Sequence, residues 1–184
     1  MKLAWGVTGS GDKFKETIQV MKELKEGYGD SLSIEVFLSK AGQLVARYYK
    51  AAELLETGFD RLWVEKDSNT PFLSGRLQLG EFDLLLIAPA TSNTVAKIAV
   101  GISDTLLTNS AVQAIKGFTP VYIMPVDYHE GETTTILPNG RSLRLRVRKE
   151  DADNVRKLEA MEGIHPFERP GDIPGIVERF MKQS

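Results

Sequence analysis

The sequence predicts one α/β domain, a three-layer sandwich on a Rossmann-like parallel sheet followed by a C-terminal β-hairpin and helices. Three observations predict it. Apolar strand-like runs alternate with amphipathic helical segments from Leu3 to Met124, the pattern of βαβ units. One of those runs, Leu84–Ala88, is continuously apolar, as expected for a strand covered on both faces. The length of 184 residues and hydrophobic content of 42% suit one domain with a full core and are too small for two typical ones. The expected division is a core over residues 1–127 and a hairpin with helices over 128–184.

The elements follow in order. Leu3–Val7 reads as a short buried strand, stopped by Thr8-Gly9-Ser10-Gly11-Asp12. Phe14, Ile18, Met21 and Leu24 recur at helical spacing up to Gly27-Tyr28-Gly29. Ile34–Leu38 is a second strand. Ala41 to Glu56 has helical composition and is expected to end at Gly58. Arg61–Glu65 is a third strand and Pro71–Leu79 a short helix. After the strand Leu84–Ala88, Thr94–Val100 and Leu106–Lys116 are helical, and Val121–Met124 is a fifth strand. The pattern then changes. Thr133–Ile136 and Leu143–Val147 flank Pro138-Asn139-Gly140, and Asn-Gly is a hairpin signal. Asp151–Met161 is a charged helix. Ile173–Met181 has few apolar positions and is expected to pack loosely.

Composition removes several classes of function. The net charge of −2 gives no reason to expect nucleic acid or an anionic membrane as partner. The chain has no cysteine, so disulfides, thiolate metal sites, iron–sulfur ligation and cysteine nucleophiles are excluded. No apolar run is long enough to span a bilayer, and the start does not read as a signal peptide. The expectation is a cytoplasmic protein with no bound metal.

In open α/β sheets ligands bind beyond the carboxyl ends of the strands. The first such loop, Thr8-Gly9-Ser10-Gly11, opens a helix and is either a tight turn or a backbone N–H cradle for a phosphate. After the second strand stands Ser39, where a dinucleotide site would need an Asp or Glu for the ribose. The full G-x-G-x-x-G spacing and the P-loop lysine are also missing, which disfavours a standard NAD site or a P-loop. The loop after the fourth strand, Pro89-Ala90-Thr91-Ser92-Asn93-Thr94, carries more hydroxyl and amide groups than one helix cap requires. Such groups suit a phosphate or the edge of a heterocycle.

The run "PATSNTVAKIAVGISDTLL", Pro89 to Leu107, resembles the signature of the homo-oligomeric flavin-containing Cys decarboxylase superfamily, the flavoprotein fold of phosphopantothenoylcysteine decarboxylase, lantibiotic cysteine decarboxylases and flavin prenyltransferases. "WGVTGSGD" and "VYIMPVD" fall where that family has its phosphate loop and last core strand. The chain is most similar to the archaeoflavoproteins, through "VFLSKAGQLVARYYK", "NTPFLSGRLQLGEFDLLL" and "ILPNGRSLRLRVRKEDADNVRKLEAMEGI", with the resemblance reaching about residue 168. The resemblance implies FMN. It places Thr8, Gly9, Ser10 and Gly11 in the first cofactor loop, Ser39 at the phosphate, and Ala90, Thr91, Ser92, Asn93 and Thr94 against the flavin and its phosphate. Met124 and Pro125 fall at a further contact. It also implies a homo-oligomer, a trimer or a larger assembly of trimers, with the flavin at a subunit interface.

The chain departs from the family's decarboxylases. The segment Thr70–Gly75 lacks their catalytic His, and Met124-Pro125-Val126-Asp127-Tyr128 lacks the Asn of their Pro-x-Met-Asn motif. No catalytic residue is assigned. The resemblance then implies flavin redox chemistry: electrons accepted from ferredoxin and passed to an unidentified acceptor, or, as the alternative, reduction of a dihydropterin. A sister group reduces dihydromethanopterin, some members with an iron–sulfur segment for which this chain has no ligands. Arg144, Arg146 and Arg148 share a strand face and, with Arg141 and Lys149, are either a docking face for an acidic partner or a solvated or inter-subunit surface. Trp5 and Trp63 are expected in the core, as is Tyr48 or Tyr49, and His129 in an exposed loop.

Overall fold

A computed structural model describes residues 1–137 and 139–182. Six parallel strands form the sheet: β1 (Lys2–Val7), β2 (Ser33–Leu38), β3 (Arg61–Val64), β4 (Leu84–Ala90), β5 (Val121–Pro125) and β8 (Ile164–Pro166), in the order β3-β2-β1-β4-β5-β8. A separate antiparallel hairpin joins β6 (Gly131–Ile136) to β7 (Ser142–Val147). Its turn agrees with the expected one at Asn139-Gly140, while Pro138 lies outside the described residues.

Strand period two decides the layers. Leu3, Trp5 and Val7 of β1, with Leu84, Leu86 and Ala88 of β4, enter one core. Against them pack α1 (Phe14–Tyr28), α2 (Lys40–Tyr48), α3 (Ala52–Thr57) and α8 (Ile173–Met181). Ala4, Leu85, Ile87 and Ala90 enter the opposite core. That side is covered by α4 (Leu73–Gln78), α5 (Ser92–Ala99), α6 (Leu106–Lys116) and α7 (Lys149–Glu159). β1 and β4 are central and buried on both faces, which is why their sequences are continuously apolar. Trp5 is fully buried, and its indole N–H donates to the Ala88 carbonyl at 2.7 Å, fixing β1 against the end of β4.

Three expectations need correction. The helix over Ala41–Glu56 is two helices, α2 and α3. Lys50 adopts φ 56°, and the Ala51 N–H returns to the Ala46 carbonyl at 2.8 Å. Lys and Ala are strong helix formers, so composition does not show the break. The break turns Ala51 and Leu55 into the core. The strand after β5, β8, was not expected: three residues ending in Pro carry little periodicity. The last helix does not pack loosely, because Ile173, Ile176 and Val177 are buried in the core beside α1. Of the adjacent tyrosines, Tyr49 packs against the core, as expected of one of them, and Tyr48 is 62% exposed. Among the described residues no helix is long and apolar enough to cross a membrane.

Candidate functional site

In the strand order, β1 lies between β2, which precedes β3 at one edge, and β4, from which the sheet grows the other way. The loops after β1 and β4 therefore part, leaving a crevice at the carboxyl edge. A cavity of ≈ 280 Å³ lies there. One wall is Gly9, Ser10, Gly11 and Asp12 after β1. The floor is Thr91, Ser92, Val126 and Asp127, and Tyr49 closes one side.

Local folding leaves the first loop open to a ligand. Thr8 is buried and its hydroxyl donates to the Pro89 carbonyl at 2.8 Å, while the Thr91 N–H donates back to Thr8 Oγ1 at 2.9 Å. The two loops are thus tied at their bases. Beyond that tie, among the described residues, the N–H groups of Gly9, Ser10 and Gly11 donate to no backbone carbonyl. Ser10 Oγ turns inward to accept the Asp12 N–H at 3.2 Å. The helix that follows, α1, has Lys13 at its N-cap in the left-handed region and no side-chain cap. Close approach requires glycine at Gly9, where a Cβ would stand 2.6 Å from Ala41 Cβ; one on Gly11 would stand 2.4 Å from the Tyr49 hydroxyl, the end of a side chain that can move.

The second loop is shorter than its composition implied. β4 runs to Ala90 and α5 begins at Ser92, so Ser92 and Asn93 occupy the first turn of a helix. Thr91 is the N-cap and accepts the Thr94 N–H at 3.3 Å. The first loop and the start of α5 line the same cavity, and helix N-termini of this kind favour an anion.

The named candidates divide accordingly. Gly9, Ser10, Gly11, Thr91 and Ser92 meet at the cavity. Thr8, Ala90, Thr94, Met124 and Pro125 are buried beneath it, and Asn93 is exposed. Ser39 does not line the cavity. Its side chain caps α2 by accepting the Gly42 N–H at 2.9 Å. Next to it the buried Glu65 carboxylate accepts the N–H groups of Lys40 and Leu106, each at 2.9 Å. The start of α2 already faces a carboxylate.

Sequence reasoning missed more than half of the lining. Thr133, Thr135, Leu137 and Leu145 of the hairpin close the cavity from outside. Thr133 stands opposite Leu145 and Thr135 opposite Leu143, so these side chains share the inner face. The alternation in "SLRLRV" carried that signal, but not which face turned inward. Arg144 and Arg146 lie on the other face, and Arg144 pairs closely with Glu132. Arg148 pairs with Asp151. His129 is exposed beside Glu168. Trp63 is half-buried, stacked on Phe37, with its N–H on Glu35.

The cavity's electrostatics are unusual for an anion site. Its charged lining residues are Asp12 and Asp127, and no Lys or Arg is among the residues that line it. Burial, then the neighbouring Tyr48 and Asp12, push the Tyr49 hydroxyl pKa up, so it stays protonated as a donor. A phosphate would be held by backbone N–H groups and helix ends. An apolar ring would find Val126, Leu137 and Leu145.

Three likenesses bear on this arrangement. An uncharacterized protein of Methanocaldococcus jannaschii is 48% identical over 96% of this chain and 94% of its own. The dihydromethanopterin reductase (acceptor) of the same organism is 33% identical, covering 91% of this chain and 94% of its own. That alignment runs over 232 positions against 184 residues here, so the relative carries segments this chain lacks. The crystal structure of Burkholderia xenovorans DmrB with FMN, described as a cubic protein cage for redox transfer, superposes with a TM-score of 0.84. It shares 33% identity over 99% of this chain and 96% of that one. With the Flavoprotein family model matching residues 1–137, through β1, the Thr91–Thr94 turn and β6, the chain belongs to the Flavoprotein family of flavin-containing decarboxylase-like folds.

Proposed function

We propose that this protein binds FMN at the crevice between the β1 and β4 loops and works as an oxidoreductase that reduces a dihydropterin. One observation carries the reading. The Gly9–Gly11 loop, whose N–H groups have no backbone acceptor, and the start of α5 line one cavity, in a chain one-third identical to a dihydromethanopterin reductase and to an FMN-bound structure. This agreement favours the dihydropterin reductase over the simple electron carrier also expected from sequence.

The residues present fit the cofactor. Gly9, Ser10 and Gly11 would hold the phosphate by their N–H groups, and Thr91 and Ser92 would meet the hydroxylated chain or ring edge. Ser39, Asn93 and Met124 stand beside this set instead of in it. When bound, FMN supplies the two-electron chemistry, and the protein supplies orientation and exclusion of water. The inner hairpin face, with Leu137 and Leu145, would shield the ring. At ≈ 280 Å³ the cavity formed by one chain is at the small end for a ligand site. This supports a homo-oligomer in which a second copy covers the rest, a trimer or an assembly of trimers. With no cysteine to hold a cluster, electrons come from a separate donor.

The test is an anaerobic spectrum. The purified protein should carry flavin bands near ~450 nm with the chromophore identified as FMN. The chemically reduced protein should be reoxidised by 7,8-dihydropterin with tetrahydropterin formed in equal amount. Protein that takes up no FMN would defeat the site. Bound FMN that reduced ferredoxin bleaches, and that no dihydropterin reoxidises, would return the protein to the electron-carrier reading.

A further inference from the structure

The cavity holds a carboxylate that phosphate binding does not explain. Asp127 follows β5 and lines the cavity beside Ser92, whose hydroxyl donates to Asp127 Oδ2. Both groups stand on fixed supports. Ser92 is the first residue of α5, and the Val126 N–H bonds the Ala90 carbonyl at 3.0 Å, tying the Asp127 segment to the end of β4. Among the described residues no Lys or Arg forms an ion pair with Asp127. Arg148, the cation that senses its charge, is itself paired with Asp151.

This pair presents only acceptors. The Ser92 hydrogen is committed to Asp127, so Ser92 Oγ offers lone pairs, and an ionised carboxylate has about four acceptor positions. The matching ligand edge must be a row of N–H donors. A flavin's pyrimidine edge does not match, because its single N3–H lies between two carbonyls. The 2-amino-4-oxo edge of a pterin does match, because N3–H and the 2-amino group are adjacent donors that fit a carboxylate in two parallel hydrogen bonds. Val126 and Leu145 supply apolar surface beside it.

We infer that Asp127, held by Ser92, is the residue that reads the amino-pyrimidine edge of the pterin. The inference rests on the dihydropterin reading above. It assigns specificity to Asp127 and no role in electron transfer.

The test is equilibrium binding of 7,8-dihydropterin and of its analogue lacking the 2-amino group to the FMN-loaded, oxidised protein. It is followed by titration calorimetry, with the flavin spectrum recorded throughout. Asp127→Asn should bind dihydropterin about 100-fold more weakly, the scale of a lost pair of charge-assisted hydrogen bonds. It should keep its FMN and its affinity for the analogue. Asp127→Ser, which keeps a small polar side chain but cannot accept both donors, should weaken dihydropterin to a similar extent and gives the same readout if Asp127→Asn does not fold. Equal losses for both ligands, or loss of FMN from Asp127→Asn, would overturn the assignment. A wild-type protein that keeps FMN but neither binds nor turns over dihydropterin would defeat the dihydropterin reading itself, and with it the role given to Asp127.

Discussion

Glu35 gives the most quantitative test of how this fold is held together. It lies on β2, 6% exposed, and its carboxylate is fully engaged. Oε1 accepts from Arg76 Nη2 at 2.7 Å and Lys2 Nζ at 3.2 Å, and Oε2 accepts from Arg76 Nη1 and Trp63 Nε1, each at 2.8 Å. The hydrogen bonds from Arg76 outweigh burial and hold the carboxyl at about 2, against an ordinary 4.5. The folded pKa lies below the unfolded one, so the stabilisation is present in full above the unfolded value. It is lost as pH falls through the folded value. Linkage makes it about 3 kcal/mol at pH 7 and about 1.4 kcal/mol at pH 3. Glu35→Gln removes the charge but keeps the shape, and Arg76 keeps its 2.8 Å bond to Glu81. Urea titrations of both proteins at fixed concentration, from pH 7 to pH 3, measure the difference. The variant should be less stable by about 3 kcal/mol at pH 7, with the gap more than halved by pH 3. A gap that stays constant over that range would mean that shape, and not charge, carries the contribution of Glu35.

Three further outcomes are expected. Gly9→Ala places a Cβ 2.6 Å from Ala41 Cβ, so the loop must move off α2. It should cost about 1–3 kcal/mol and lower the FMN retained after gel filtration, read as the ratio of flavin to protein absorbance. Trp5→Phe removes the donor that meets the Ala88 carbonyl at 2.7 Å and leaves that carbonyl buried. Urea midpoints should report a loss of about 1–3 kcal/mol. Thr91→Ala removes the cap of α5 and should cost about 1 kcal/mol, whereas Thr91→Ser, which keeps the acceptor, should sit near wild type in the same titration.

Much of the architecture was legible because local chemistry and tertiary demand agreed. The runs at Leu3–Val7 and Leu84–Ala88 read as central strands because burial on both faces leaves no place for a polar residue. Of the polar cluster Thr91–Thr94, whose excess over one helix cap drew attention to it, Thr91 and Ser92 line the cavity. Reading failed where tertiary context overrode propensity. Lys50 breaks a stretch of good helix formers. β8 is too short for its period to register.

The sequence by itself determined the alternation of strands and helices, the two loops that open at the carboxyl edge, and, through the Pro89–Leu107 run, the family. These rest on periodicity and residue chemistry within short windows. Only the tertiary structure decided which side chains share the crevice. It committed Ser39 to the cap of α2, swung the hairpin's Thr and Leu face inward with Arg144 and Arg146 outward, and brought Ser92 onto Asp127. The Ser39 cap reaches only to Gly42, but the hairpin's place over the crevice and the Ser92–Asp127 contact join residues far apart in the chain. Their geometry is fixed by how strands order and helices cross, which no local pattern encodes.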